Sequence, residues 1–198
     1  MDIAAYLNAL AGLFVIIDPI GAALIFHSLV PPGESRHRRI MAFKAITISV
    51  VLLIVFGNYG QPLLELLGIN IQSLRIAGGL LLFYTAFNMV TEEIEYSTAD
   101  KKKDISVFPM SIPLLAGPGS LTLSILLFSK SAEMSADIGV MAAILTVCLL
   151  TLILMLVSKY LKKIIGQTGD EILKRFLGVI LAALAIQFVY DGIANIAG

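Results

Sequence analysis

Asp18-Pro19-Ile20-Gly21 breaks the first long apolar segment of the chain, and Gly117-Pro118-Gly119-Ser120 breaks the fourth, about 100 residues further on. Proline has no N–H and pushes the preceding residue away from helical angles, while glycine lets the chain turn at little steric cost. Each motif predicts a helix interrupted near its middle. Inside a bilayer such an interruption exposes backbone N–H and C=O groups, which is tolerated only where protein or a water-filled cavity satisfies them. Two such breaks, one in each half of a duplicated chain, point to the substrate site of a transporter.

The surrounding composition is that of an integral membrane protein. Of 198 residues 58% are hydrophobic and 14% charged, with a mean hydropathy of +0.93. Soluble domains run at about 45–50% apolar and about 25% charged. The formal net charge is zero, which offers no electrostatic basis for nucleic-acid binding. Met1-Asp2-Ile3 opens on an acid rather than a base, so no cleavable signal peptide is expected. Cys148 is the lone cysteine and sits in an apolar run. An inert packing role is expected for it, and a Cys-X-X-Cys redox pair is excluded.

A spanning helix needs about 20 mostly apolar residues. Six stretches qualify: Ile3 to Val30, Ile40 to Phe56 (ended by Gly57-Asn58), Ile71 to Val90, Phe108 to Phe128, Ile138 to Val157 and Phe176 to Ile196. As one straight rod the first would reach about 40 Å against a hydrocarbon core of about 30 Å, so two tilted half-helices joined at Pro19 are expected. Basic residues cluster after the first, third and fifth stretches: Arg36, Arg38 and Arg39, then Lys101 to Lys103, then Lys159, Lys162, Lys163, Lys174 and Arg175. The opposite side offers Arg75 and Lys130. The positive-inside rule then places both termini on the outer side of the membrane.

The halves also match one another outside the breaks. Leu63 to Gly68 falls on Leu161 to Gly166, and Arg75-Ile76-Ala77-Gly78 falls on Arg175-Phe176-Leu177-Gly178. Three helices per half is an odd number, so the halves enter the membrane from opposite sides. The expected architecture is an all-α polytopic membrane protein of six transmembrane helices, built as two inverted three-helix repeats with the first and fourth helices broken. The chain reads as one membrane domain, with repeat one at about 1–90, a charged linker at about 91–107 and repeat two at about 108–198. Rocking of one three-helix half against the other is the expected route to alternating access.

Asp18 is the most informative single residue, because an isolated carboxylate in mid-membrane costs roughly 2.5 kcal/mol or more. Three roles are open to it: capping the second half-helix, contacting a substrate ammonium or a coupling cation, or relaying protons. Around Pro118, the N–H groups near Gly117, Gly119 and Ser120 would attract an anionic group such as a carboxylate, and Ser120, Thr122 and Ser124 add hydroxyls. Close packing of small residues is the plainer account of this stretch. Asn88 and Gln187 hold nearly matching positions in the two halves. They would either line a central cavity or make an interhelical hydrogen bond worth about 0.6 kcal/mol. No metal-ligand spacing, Walker motif or nucleophile–base pair is visible, so no cofactor, metal site or enzymatic activity is expected.

Leu13-Phe14 followed by Asp18-Pro19-Ile20-Gly21, and later Pro113-Leu114-Leu115-Ala116-Gly117-Pro118-Gly119, resembles the MarC family of bacterial inner-membrane proteins over essentially the whole chain. One departure is visible: many relatives carry a proline a few residues after the first motif, where this chain reads Ala22-Ala23-Leu24. The resemblance implies a multi-pass protein of the bacterial inner membrane, related to transporters of small neutral amino acids. The function expected is secondary transport of a small zwitterion such as glycine or alanine. Its partners would be the lipid bilayer, a coupling proton or sodium ion, and further copies of the chain in a homo-oligomer. Pro19 and Gly21 on one side and Gly117 to Ser120 on the other would frame the site. A cation or metal carrier using Asp18, and a non-transporting scaffold or regulatory protein, are the alternatives.

Overall fold

The computed structural model describes residues 2–30, 35–91, 106–130 and 133–197. Every regular element among them is helical: α1 (Ile3–Ile17), α2 (Pro19–Leu29), α3 (Ser35–Leu66), α4 (Ile71–Thr91), a π-helix (Ser106–Leu115), α5 (Pro118–Ser129) and α6 (Met134–Ala197). The charged linker expected at 91–107, with Lys101 to Lys103, lies outside the described residues except for Thr91, Ser106 and Val107. Five stretches are long and apolar enough to cross a membrane: Ile3–His27, Arg36–Leu66, Ile71–Thr91, Met134–Leu161 and Glu171–Ile196. The fourth expected span is divided between the π-helix and α5, neither of which has the roughly 20 residues a crossing needs.

One expected boundary is corrected. α3 does not stop at Gly57-Asn58 but continues through Pro62 to Leu66. The reason is packing. A Cβ on Gly57 would lie 2.5 Å from Cδ2 of Phe128, and one on Gly60 would lie 2.5 Å from Cγ1 of Ile125. These glycines let α5 approach closely rather than ending the helix. Asn58 turns its amide back to the Ile54 carbonyl at 2.9 Å, which suits a helix interior. The fifth and sixth spans remain two helices, carried as the two arms of α6, which meet at a kink at Gly166 whose φ of 67° and ψ of −177° are not helical. The lysines between the two arms are good helix formers and keep the chain helical beyond the apolar stretch.

The two halves share a single core. α1 and α2 pack on α6, α3 packs on the π-helix, α5 and α6, and α4 packs on α5 and α6. Among the described residues, the helices before Glu92 make no extensive contacts with one another. Leu13, Ile17, Phe26 and Leu53 from the first half are buried together with Met110, Leu115, Ile144 and Met155 from the second. α4 and the second arm of α6 run antiparallel: Gly79 faces Ala185 and Val189, Gly178 faces Met89 and Val90, and Gly192 faces Ile76. The rim of the bundle is apolar, with Tyr84, Phe87, Leu149, Ile153, Val179 and Ile186 exposed. So large a continuous apolar surface suits lipid rather than water.

Contacts at the two ends fix how the helices enter and leave. At one end the Asp2 N–H donates to the Ser135 carbonyl at 2.9 Å, and the Asp2 carboxylate caps α1 by accepting from the Ala4 N–H at 2.8 Å. At the other end Arg38 donates to the Ser158 hydroxyl at 2.8 Å, with its guanidinium 5.6 Å from the centre of the Phe26 ring. That arginine ties α2, α3 and α6 together through an ion–quadrupole contact and a hydrogen bond.

The glycines separate packing from turning. Gly60→Leu is expected to force α3 and α5 apart, and thermal unfolding in detergent should show either a large fall in melting temperature or loss of the folded species. Gly68, at φ 68° with no neighbour within 4 Å of a Cβ, is different. Gly68→Ala should cost only the left-handed strain of roughly 1–2 kcal/mol.

Candidate functional site at the paired helix breaks

Asp18 makes the first break. Its φ of 47° and ψ of 73° place it in the left-handed region, which Asp and Asn visit more readily than other side-chain-bearing residues. The Asp18 N–H still donates to the Phe14 carbonyl at 3.1 Å, closing α1, and its own carbonyl accepts from the Ala22 N–H at 2.9 Å, opening α2. The carboxylate folds back over the first turn of α2, where Oδ1 accepts from the Gly21 N–H at 3.0 Å. A Cβ on Gly21 would collide with that carboxylate, which is why glycine stands there. Pro19 occupies the first helical position, where its missing N–H costs nothing. The negative charge also meets the positive end of the α2 dipole. Among the three roles open to Asp18, capping is therefore directly visible.

The second break is built differently. The π-helix closes with an i→i−5 bond from the Ala116 N–H to the Ser111 carbonyl at 2.8 Å. The Ser111 hydroxyl lies 2.6 Å from the Ser106 carbonyl and 3.0 Å from the Ala45 carbonyl of α3, anchoring the π-helix laterally. Gly117 then takes extended angles (φ −81°, ψ 173°) as the N-cap of α5, and no side chain caps this helix start. Pro118 follows at the first helical position. The Ser120 hydroxyl reaches back to the Leu115 carbonyl at 2.8 Å, with the Gly117 carbonyl at 3.1 Å. The carbonyl side of this break is thus satisfied by serine, and the N–H side is left open. π-Helical turns of this kind concentrate at functional sites.

The two breaks are neighbours. A Cβ on Gly119 would strike Leu82 of α4 and lie 3.4 Å from Cγ2 of Ile16, in the last turn of α1. Gly12 likewise meets Leu123, with 3.0 Å from its Cβ position to Cδ2. Thr122 packs on Gly78 of α4. Pro19, Gly21, Gly117, Gly119, Ser120 and Thr122 are all buried, Asp18 is half-buried, and Pro118 is exposed. Asn88 and Gln187 are not brought together. Asn88 is half-buried, near the level of Gly178. Gln187 is exposed, level with Gly79, and it donates to Asp191 on its own helix at 2.6 Å. Along α4 those levels differ by about 13 Å at 1.5 Å per residue.

Two cavities lie at the end of the bundle that holds Asp2 and Asn195, and neither is lined by a residue of the breaks. One of about 510 Å³ is bounded by Asp2, Asn8, Leu127, Lys130 and Glu133 among others. The other, of about 480 Å³, is bounded by Gln61, Ile71, Gln72, Arg75, Ser129, Lys130, Asp191 and Asn195. Arg75 is only 8% exposed. Sequence reasoning counted it as an outer-side charge and missed its burial. Among the described residues no three His, Cys, Asp or Glu side chains gather as a metal site would require.

Comparison with known proteins agrees with this architecture. Residues 3–197 match the model of the MarC family, described as MarC family integral membrane protein. A UPF0056 membrane protein of Archaeoglobus fulgidus is 32% identical over 98% of this chain and 97% of its own length. The UPF0056 membrane protein YvbG of Bacillus subtilis is 31% identical over 91% of this chain and 90% of its own. The UPF0056 membrane protein YhcE of Escherichia coli is 29% identical over 98% and 94% respectively. No solved structure matches. With the match running from the start of α1 to the end of α6, the chain belongs to the MarC family of integral membrane proteins.

Proposed function

We propose that the chain is a secondary transporter of small neutral amino acids, with its substrate held between the two breaks. The observation that carries this reading is the pairing of two unlike half-helix starts. α2 begins under the Asp18 carboxylate, and α5 begins without a side-chain cap beside the last turn of α1. Open N–H groups at the start of α5 suit a substrate carboxylate, and Asp18 supplies the opposite charge for its ammonium group. A zwitterion satisfies both at once.

The six-span inverted repeat belongs to the same reading. It draws support from Gly68 and Gly166, which the repeat aligns and which are the glycines of positive φ among the described residues. Proline opens the helix after each break. Arg36, Arg38, Arg39, Lys159 and Lys163 fall at the end opposite Asp2. The positive-inside rule makes that end cytoplasmic, with both termini outside a bacterial inner membrane.

Leu82 packed over Gly119 closes the breaks off, so transport requires movement. Because the halves share one core, rocking of one three-helix half against the other has no rigid bodies to move. The smaller units α1–α2 and π-helix–α5, hinged at Asp18 and at Ala116-Gly117, take that role, with a proton or sodium gradient as the driving force. A second reading, a non-transporting scaffold, is favoured by Asp18 and Ser120 satisfying the chain's own backbone groups.

Proteoliposomes separate the two. Exchange of labelled glycine or alanine, with and without proton or sodium gradients, is expected for the wild type, and its absence under all of these conditions leaves the scaffold. Asp18→Asn retains both a capping oxygen and tolerance of the left-handed region. It should melt within about 1 kcal/mol of the wild type yet lose at least tenfold in flux. Ser120→Ala, which strands the Leu115 carbonyl, should instead cost about 1–3 kcal/mol of stability.

A further inference from the structure

We propose a second ligand site at the outer end of the bundle, centred on Arg75, that takes a small solute carrying both a carboxylate and an ammonium group. Arg75 stands one turn inside α4 and lines the cavity of about 480 Å³. It is 8% exposed, and among the described residues it makes no hydrogen bond or ion pair. A guanidinium with no protein partner is left to water or a ligand for compensation. It lines a cavity that opens at the end of the bundle between α3, α4, α5 and α6, so the compensating group enters from there.

The rest of the wall defines the ligand. Lys130 adds a second cation, from the residue that ends α5. The wall also carries an acceptor. Asp191 accepts from Gln187 through Oδ1 alone and brings a negative charge to the same wall. A plain anion would satisfy Arg75 and Lys130 but face the Asp191 carboxylate, and a dianion such as phosphate would face it with twice the charge. A solute with a carboxylate at one end and an N–H-bearing cation at the other answers all three charges, and the cavity lies within the usual size range for small-ligand sites. Gln61 and Asn195 are already engaged, with Glu65 at 3.0 Å and the Asp191 carbonyl at 2.6 Å, so they shape the wall without demanding a partner. The repeat makes the site one-sided: Arg175, the counterpart of Arg75, is exposed.

Binding here requires no flux, so the site stands apart from the transport reading. Calorimetric titration of the full chain in detergent, carrying Asp18→Asn so that the site proposed at the breaks is silenced, with alanine, acetate, methylamine and inorganic phosphate provides the test. Alanine should bind most tightly, acetate more weakly, and methylamine not measurably. Arg75→Gln should weaken alanine at least tenfold while leaving the melting temperature unchanged or raised, because an uncompensated charge is removed. Lys130→Gln, at an exposed position, should weaken alanine two- to threefold. Asp191→Asn should bring alanine down to the affinity of acetate.

Alanine binding that is unchanged in Arg75→Gln overturns the proposal. So does phosphate binding more tightly than alanine, which would mark a phosphate or lipid-headgroup site. A clear fall in the melting temperature of Arg75→Gln would make the guanidinium structural and overturn it as well. Arg75-dependent binding without flux would sink the transport reading and leave this site standing. Flux with Arg75-independent binding would do the reverse.

Discussion

A peptide group inside hydrocarbon has no water to bond, and leaving it bare costs several kcal/mol. Everything distinctive in this chain follows from how it interrupts helices under that constraint. At Asp18 a single left-handed residue ends one helix and starts the next, keeping its own N–H and C=O in the ladder and lending its carboxylate to the following turn. At Gly117 the work is spread over more residues. A π-turn takes up the slack, Ser120 collects the stranded carbonyls, and proline removes one N–H that would otherwise need a partner. One solution brings a charge to the site, and the other leaves donors there. That difference gives the pair its chemical polarity.

The same constraint explains the division of labour among glycines. Gly57, Gly60, Gly78 and Gly119 each admit a side chain from a neighbouring helix where a methyl group would collide. Helices in lipid gain little from burying apolar surface, so close approach and dispersion replace the hydrophobic effect as the source of cohesion. Gly68 and Gly166 have open space around them and serve conformation alone.

Local rules were legible in the sequence and distant ones were not. Proline and glycine act on their own backbone, so both breaks could be read from a few letters, and so could the matched pair Gly68 and Gly166. The continuation of α3 past Gly57 could not, because a glycine that ends a helix and one that admits Phe128 are the same letter; the partner that decides lies in the other half of the chain. Asn88 and Gln187 matched in sequence register, yet register along the chain says nothing about depth along the bundle, and they sit on different levels. Arg75 was visible as a charge. Its enclosure depends on four helix ends meeting, and the one local hint was its place just inside the start of an apolar helix.

The shared core also governs how such a chain comes into being. Its early helices make most of their contacts with its late helices, and among themselves they share only limited contacts such as Arg38 of α3 over Phe26 of α2. Most of the core therefore closes only once α6 has been made, and a chain cut short before that point lacks the helix against which α1 to α4 all pack.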